Sequence, residues 1–186
     1  MYAAQDGGEH GAGVMRLLVD AGADANTQNK DGKTALMLSA EHGGEHAAGM
    51  MRLLVDAGAD ANKQNKNGWT ALMWAARHGG EHGAGMMRVL VDAGADANKQ
   101  REDGWTALML SAWHGGEHAA AMMRVLVDAG ADANKQDKDG WTALMFATWK
   151  GAQHGEAMIR TLTDAGADVD AQDETGSTVL MLATWV

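Results

Sequence analysis

The chain has 186 residues, 46% of them hydrophobic, no cysteine and a formal net charge of -10. That apolar content excludes a disordered tail, and the lack of cysteine excludes a disulfide framework or a thiolate metal site. The acidity, with Lys and Arg spread singly, argues against nucleic acid, and no apolar run approaches the ~20 residues a membrane span needs. The first ten residues are too polar for a signal peptide. These features together fit a cytoplasmic or nuclear protein.

Proline is absent and there are seven Trp against one Phe and one Tyr, the skew that copying one short unit produces. Met15–Asn26 reads MRLLVDAGADAN, and Met51–Asn62 repeats it. Met87–Asn98 and Met123–Asn134 differ only by Val for Leu, and Ile159–Asp170 is a looser fifth copy. A second block, GWTALM, starts at Gly68, Gly104 and Gly140, with variants at Gly32 and Gly176. Each spacing is 36 residues, the mark of a repeat array.

The unit that opens at Gly104 serves as the example. Thr70, Thr106 and Thr142 precede apolar runs and are good helix N-caps. The helix they open is short, Ala107–Trp113 in this unit, and the pair Gly115-Gly116 ends it. A second helix is predicted from His118 to Ala129. Met122, Val125, Leu126 and Ala129 follow i, i+3, i+4, i+7 spacing, while Met123 and Val127 add apolar surface on a second side. A helix apolar on more than one side is sandwiched in a stack. Gly130 follows where a left-handed residue is needed, and Asp132–Gly140 reads as a β-turn or hairpin.

The segments Gly104-Trp105-Thr106-Ala107-Leu108-Met109 and Gly130-Ala131-Asp132-Ala133-Asn134 resemble the opening and closing motifs of the ankyrin repeat. The resemblance runs from end to end. It implies a mainly α fold: an α-solenoid of stacked helix-turn-helix repeats with short β-hairpin or turn connections. Residues 1–186 then form a single domain of about five 36-residue repeats, with incomplete units at both termini. Two departures stand out. Ala and Met replace the family's Pro and His, so Met109 cannot tie neighbouring turns by hydrogen bonds and packing must substitute. Three residues are added to the usual 33, read as Ala119–Ala121 forming an extra turn at the start of the second helix. The near-identity of the units suits recent duplication or an engineered consensus-like array.

His42-Gly43-Gly44-Glu45-His46, with copies at His78–His82 and His114–His118, matches a zinc-protease string. The Gly-Gly pair breaks the helix that would put both imidazoles on one face, and no third ligand recurs. These segments read as solvated loops. The rows Asp56/Asp92/Asp128 and Asp60/Asp96/Asp132 read as structural, the second hydrogen-bonding local backbone. No catalytic residue, metal site, cofactor or enzymatic activity is expected.

The resemblance also implies where a partner touches: the hairpin tip, the residue after its Gly, the residue after the opening tetrapeptide, and the end of the first helix. Every Trp falls at one of the last three positions. The candidate partner-binding residues are Trp69, Trp74, Arg77, Trp105, Leu110, Trp113, Trp141, Phe146 and Trp149. Trp and Arg dominate binding hot spots. The implied function is a non-catalytic module that binds a protein or peptide through a Trp-rich face. The alternative is an assembly element that self-associates end to end through its uncapped termini.

Overall fold

A computed structural model describes residues 9–114, 116–150 and 154–185. The chain forms two compact units, Met1–Asp96 and Ala97–Val186. The first contains α1 (Glu9–Asp20), α2 (Ala35–His42), α3 (Ala47–Asp56), α4 (Ala71–His78) and α5 (Gly83–Asp92). The second contains α6 (Ala107–His114), α7 (Ala119–Asp128), α8 (Ala143–Lys150), α9 (Gly155–Asp164) and α10 (Val179–Leu182). Short helices alternate with longer ones, and each packs on its hairpin partner and on its counterpart one repeat away. In the first unit α2 meets α3 and α4, and α3 meets α5; in the second α6 meets α7 and α8, and α7 meets α9. The stacked helix pairs predicted from the repeat are present in both units.

Local chemistry explains the boundaries. Thr70, Thr106 and Thr142 each accept, through Oγ1, the backbone N–H three residues on, at 3.2–3.3 Å. That satisfies one of the orphan donors at a helix start. The residues that follow are buried all round: in α4 every residue from Ala71 to Ala76 lies in the core. The longer helices bury one side, with Met122, Met123, Val125 and Leu126 inside on α7 and Arg124 and Asp128 outside. Gly130 closes α7 at φ +81°, with Ala131 N–H donating to the Leu126 carbonyl at 2.9 Å, a left-handed C-terminal motif.

Ala119–Ala121 form the first turn of α7, and a single 3-10 turn over Gly116–His118 leads into them. Gly115, read as part of the helix stop, lies outside the described residues, as do Met1 and Val186 at the incomplete terminal units.

The connections take the turn form of the expected β-turn or hairpin. Among the described residues no strand forms, and pairing is limited to an antiparallel bridge between Gln172 and Thr178. Each tip instead closes on a β-turn, as where Gly140 N–H donates to the Asp137 carbonyl at 3.1 Å and Asp137 N–H to the Trp141 carbonyl at 3.0 Å. Arms this short leave no room for a ladder. Successive tips are joined by one backbone bond each, Lys66 N–H to Asp31 in the first unit and Lys138 N–H to Asp103 in the second.

Met109 is 1% exposed, packed as expected of a residue that cannot tie the turns. Packing does not act alone, however. Asn62 Nδ2 donates to the Gly94 carbonyl and its Oδ1 accepts Asp96 N–H, both at 2.8 Å. Asn98 makes the same pair with Gly130 and Asp132, and Asn26 with Gly58 and Asp60. Gln28 reaches the Gln64 carbonyl, and Gln100 that of Gln136, both at 3.0 Å. These side chains add to the backbone bonds that join the tips. The second Asp row has its expected local role, Asp60 Oδ1 accepting Asn62 N–H at 2.8 Å and Asp132 Oδ1 accepting Asn134 N–H at 2.9 Å.

Asp137 illustrates how one tip is tuned. Its Oδ1 accepts N–H groups from Asp139 and Trp141 at 3.0 and 2.8 Å, yet the side chain is buried. Burial pushes its carboxyl above the ordinary aspartate range, and the neighbouring Asp139 and Asp103 push the same way. Asn65 holds the equivalent place in the first unit and accepts the same two bonds without a charge. Asp137→Asn is therefore expected to stabilise the chain at pH 7. A raised folded-state pKa means the native state takes up its proton first as pH falls. The advantage of the amide should shrink through that titration and be lost near the unfolded-state value. Urea melts of both chains at pH 7 and pH 4 check this; an equal or larger gain at pH 4 would contradict the cause.

Candidate partner-binding face

The variable positions lie on the tips and first helices, and each unit gathers its own cluster. In the first unit Trp69, at the end of a tip, stacks on Trp74 of α4, with ring centroids 4.4 Å apart and planes at 27°. Lys33 Nζ sits 4.4 Å from the Trp74 centroid and donates to both Glu41 carboxylate oxygens at 2.7 Å. The Arg77 guanidinium lies 5.4 Å from the Trp69 centroid, a cation–π arrangement. His78, one turn on from Trp74, stacks on it at 5.7 Å. Burial lowers the His78 pKa, and the positive charge of Arg77 lowers it further, so the imidazole stays neutral at pH 7.

In the second unit Phe146 of α8 lies at the centre of the cluster. It meets Trp105 at 4.4 Å, Trp141 at 5.0 Å and Trp113 at 5.7 Å. Trp149 meets Trp141 edge to face at 6.2 Å. Two cations lie over the rim, Lys150 Nζ 4.0 Å from the Trp113 centroid and Arg101 Cζ 5.2 Å from that of Trp105. Asp103 pairs with Arg101. Burial alone would raise the Asp103 carboxyl, but that hydrogen bond and the Trp105 N–H outweigh it and hold it below the ordinary range.

One relation escaped the sequence reading. The residue after the tip Gly and the first-helix end, eight positions apart, touch in the repeats that open at Gly32, Gly68, Gly104 and Gly140. They form an ion pair at Lys33–Glu41, a cation–π pair at Trp69–Arg77, and edge-to-face Trp pairs at Trp105–Trp113 and Trp141–Trp149. Each pair is complementary: opposite charges, a cation on a ring, or two rings edge to face. A comparison of Lys33 with Glu41 and of Trp69 with Arg77 was the available signal.

Exposure divides the nine candidates. Trp149 is 40% exposed, Arg77 is exposed, and Trp105, Trp113 and Trp141 are half-buried. Trp69, Trp74 and Phe146 are buried beneath their neighbours, and Leu110, at 1%, lies in the core. The position after the opening tetrapeptide thus supports the face from below.

The His-x-x-Glu-His segments are interrupted as expected. His78 ends α4, while His82 closes a 3-10 turn with its Nε2 3.2 Å from Glu81. Among the described residues no three His, Asp or Glu side chains converge as metal ligands, and no helix is long and apolar enough to cross a membrane.

No curated protein matches the chain. A family model described as ankyrin repeats, in three copies, matches residues 1–101 and 80–173. Ankyrin repeats are in general protein–protein interaction modules. With the stacked helix pairs, the tips and the motif spacing in agreement with that match, the chain belongs to the ankyrin-repeat family.

Proposed function

We propose that the chain is a non-catalytic module that holds a protein or peptide partner against its Trp-bearing tips and first helices. The observation that carries this reading is the second unit's cluster, where Trp105, Trp113 and Trp141 surround Phe146 and Trp149 projects at 40% exposure. Large rings held by one another lose little freedom on binding, and flanking Lys150, Arg101 and Asp103 supply a polar rim. Trp149, Trp113, Trp105, Trp141 and Arg77 offer the contact surface; Trp69, Trp74, Phe146 and Leu110 hold it in place.

Trp113→Glu with Trp149→Glu tests the reading. Glu already stands at the equivalent Glu41, and each ring is lost from a surface layer. The double variant should melt within a few degrees of the parent. Its binding should weaken by about 2 kcal/mol or more for each ring that is a true hot spot. Partners captured from lysate by the parent, then measured against both chains by calorimetry, give the comparison. Unfolding of the variant, or unchanged binding, would move the site elsewhere.

A second reading, end-to-end self-association, is favoured by the exposure of Leu180 (79%), Met181 (53%) and Trp185 (77%) around α10. Repeated heterologous contact would build open chains. A monomeric mass by light scattering at high concentration would remove it.

A further inference from the structure

The first unit holds a cavity of about 370 Å³ between its tips and α4, lined in part by Trp69, Trp74, Lys33, Lys66, Arg77 and Asp31. Three features set it apart. The chain as a whole is acidic, at -10, yet this lining is basic, with three cations against the single carboxylate of Asp31. Lys33 is neutralised by Glu41, whereas Lys66 and Arg77 form no ion pair among the described residues. Trp74, which also lines the cavity, has a buried Nε1 without a hydrogen-bond acceptor.

We propose that this cavity receives an acidic side chain, a glutamate or aspartate carried on a partner peptide. The carboxylate lies against Arg77 and Lys66, and its methylene stem lies against the stacked Trp rings. This rests on the reading of the tips and first helices as the partner-binding face, and adds the chemistry of one anchor. Two cations without counter-charges attract an anion, and low-dielectric Trp walls strengthen that attraction.

The probes are the capped tripeptides Leu-Glu-Leu, Leu-Gln-Leu and Leu-phosphoserine-Leu, titrated into the intact 15N-labelled chain. The readout is the indole N–H signal of Trp74, assigned by its loss in Trp74→Phe, a change the equivalent Phe146 shows to be compatible with the fold. The Glu peptide should shift that signal saturably and the Gln peptide should not. Arg77→Gln should weaken the Glu peptide about fivefold or more. Glu41→Gln, which releases Lys33, should tighten it. Equal response to Glu and Gln, no response to either, a stronger response to phosphoserine, or indifference to Arg77→Gln would each overturn the acidic-anchor assignment. The Trp113→Glu/Trp149→Glu chain separates the two claims. If its partner binding falls while the peptides behave alike, the face stands and the acidic anchor fails. If a found partner binds it unchanged while the Glu peptide still discriminates, the anchor stands and the second unit's cluster fails.

Discussion

Gly104→Ala should destabilise the protein by about 2–4 kcal/mol, several times the cost of the same change at Gly130. Both glycines are left-handed, at φ +87° and +81°, so each pays about 1 kcal/mol for giving an L side chain that conformation. They differ in what lies beyond the Cα. A Cβ on Gly130 meets nothing within 4 Å, whereas one on Gly104 would lie 2.8 Å from Asp137 Cα and 3.0 Å from Lys138 N. Those atoms are the backbone of the next tip, held by the Lys138 N–H bond to the Asp103 carbonyl at 3.0 Å. Backbone cannot rotate aside as a flexible side chain can, so relief requires the tips to separate and that bond to stretch. Urea melts of the two single variants decide the matter. Equal losses at both positions would mean that the tips yield freely and that their close approach contributes little.

Asn62→Ala is expected to cost about 2 kcal/mol, near the sum of two ordinary hydrogen bonds. Its amide bridges two repeats, donating to Gly94 and accepting from Asp96, so one truncation removes both bonds and leaves a carbonyl and an N–H to water. In a linear array stability is a sum of unit and interface contributions. Weakening one interface should therefore also broaden the transition, separating melts followed by helicity from those followed by Trp fluorescence. Asn62→Asp keeps the acceptor and loses the donor, and should fall between parent and Ala. A variant Asn62→Ala as stable and as cooperative as the parent would show that packing alone couples the repeats. In that case the expectation drawn from Met109 would hold without the amide ladder.

The candidate face was legible only in outline. Trp149 and Arg77 stand exposed where the family's contact positions placed them, because those positions lie on tips and helix ends that repeat packing leaves outside. Leu110, Trp74 and Phe146 share one register, the position after the opening tetrapeptide, and all three turn inward. Register alone could not reveal this. A first helix of eight residues, sandwiched on several sides, buries most of its surface, as the unbroken burial of Ala143–Thr148 in α8 demonstrates.

The sequence by itself determined the repeat and its punctuation. A 36-residue period, a Thr before each apolar run and a Gly after each longer helix are local signals. They act through capping and left-handed backbone within a few residues of chain, so they can be read without coordinates. The tertiary structure alone decided which side chains meet, within a repeat and between repeats. The Asn amides reach a carbonyl 32 positions away, the Lys33–Glu41 and Trp69–Arg77 pairs close across eight, and Trp74 loses its water without gaining an acceptor. Such contacts depend on distances set by packing, and nothing in the local alternation of apolar and polar residues encodes them.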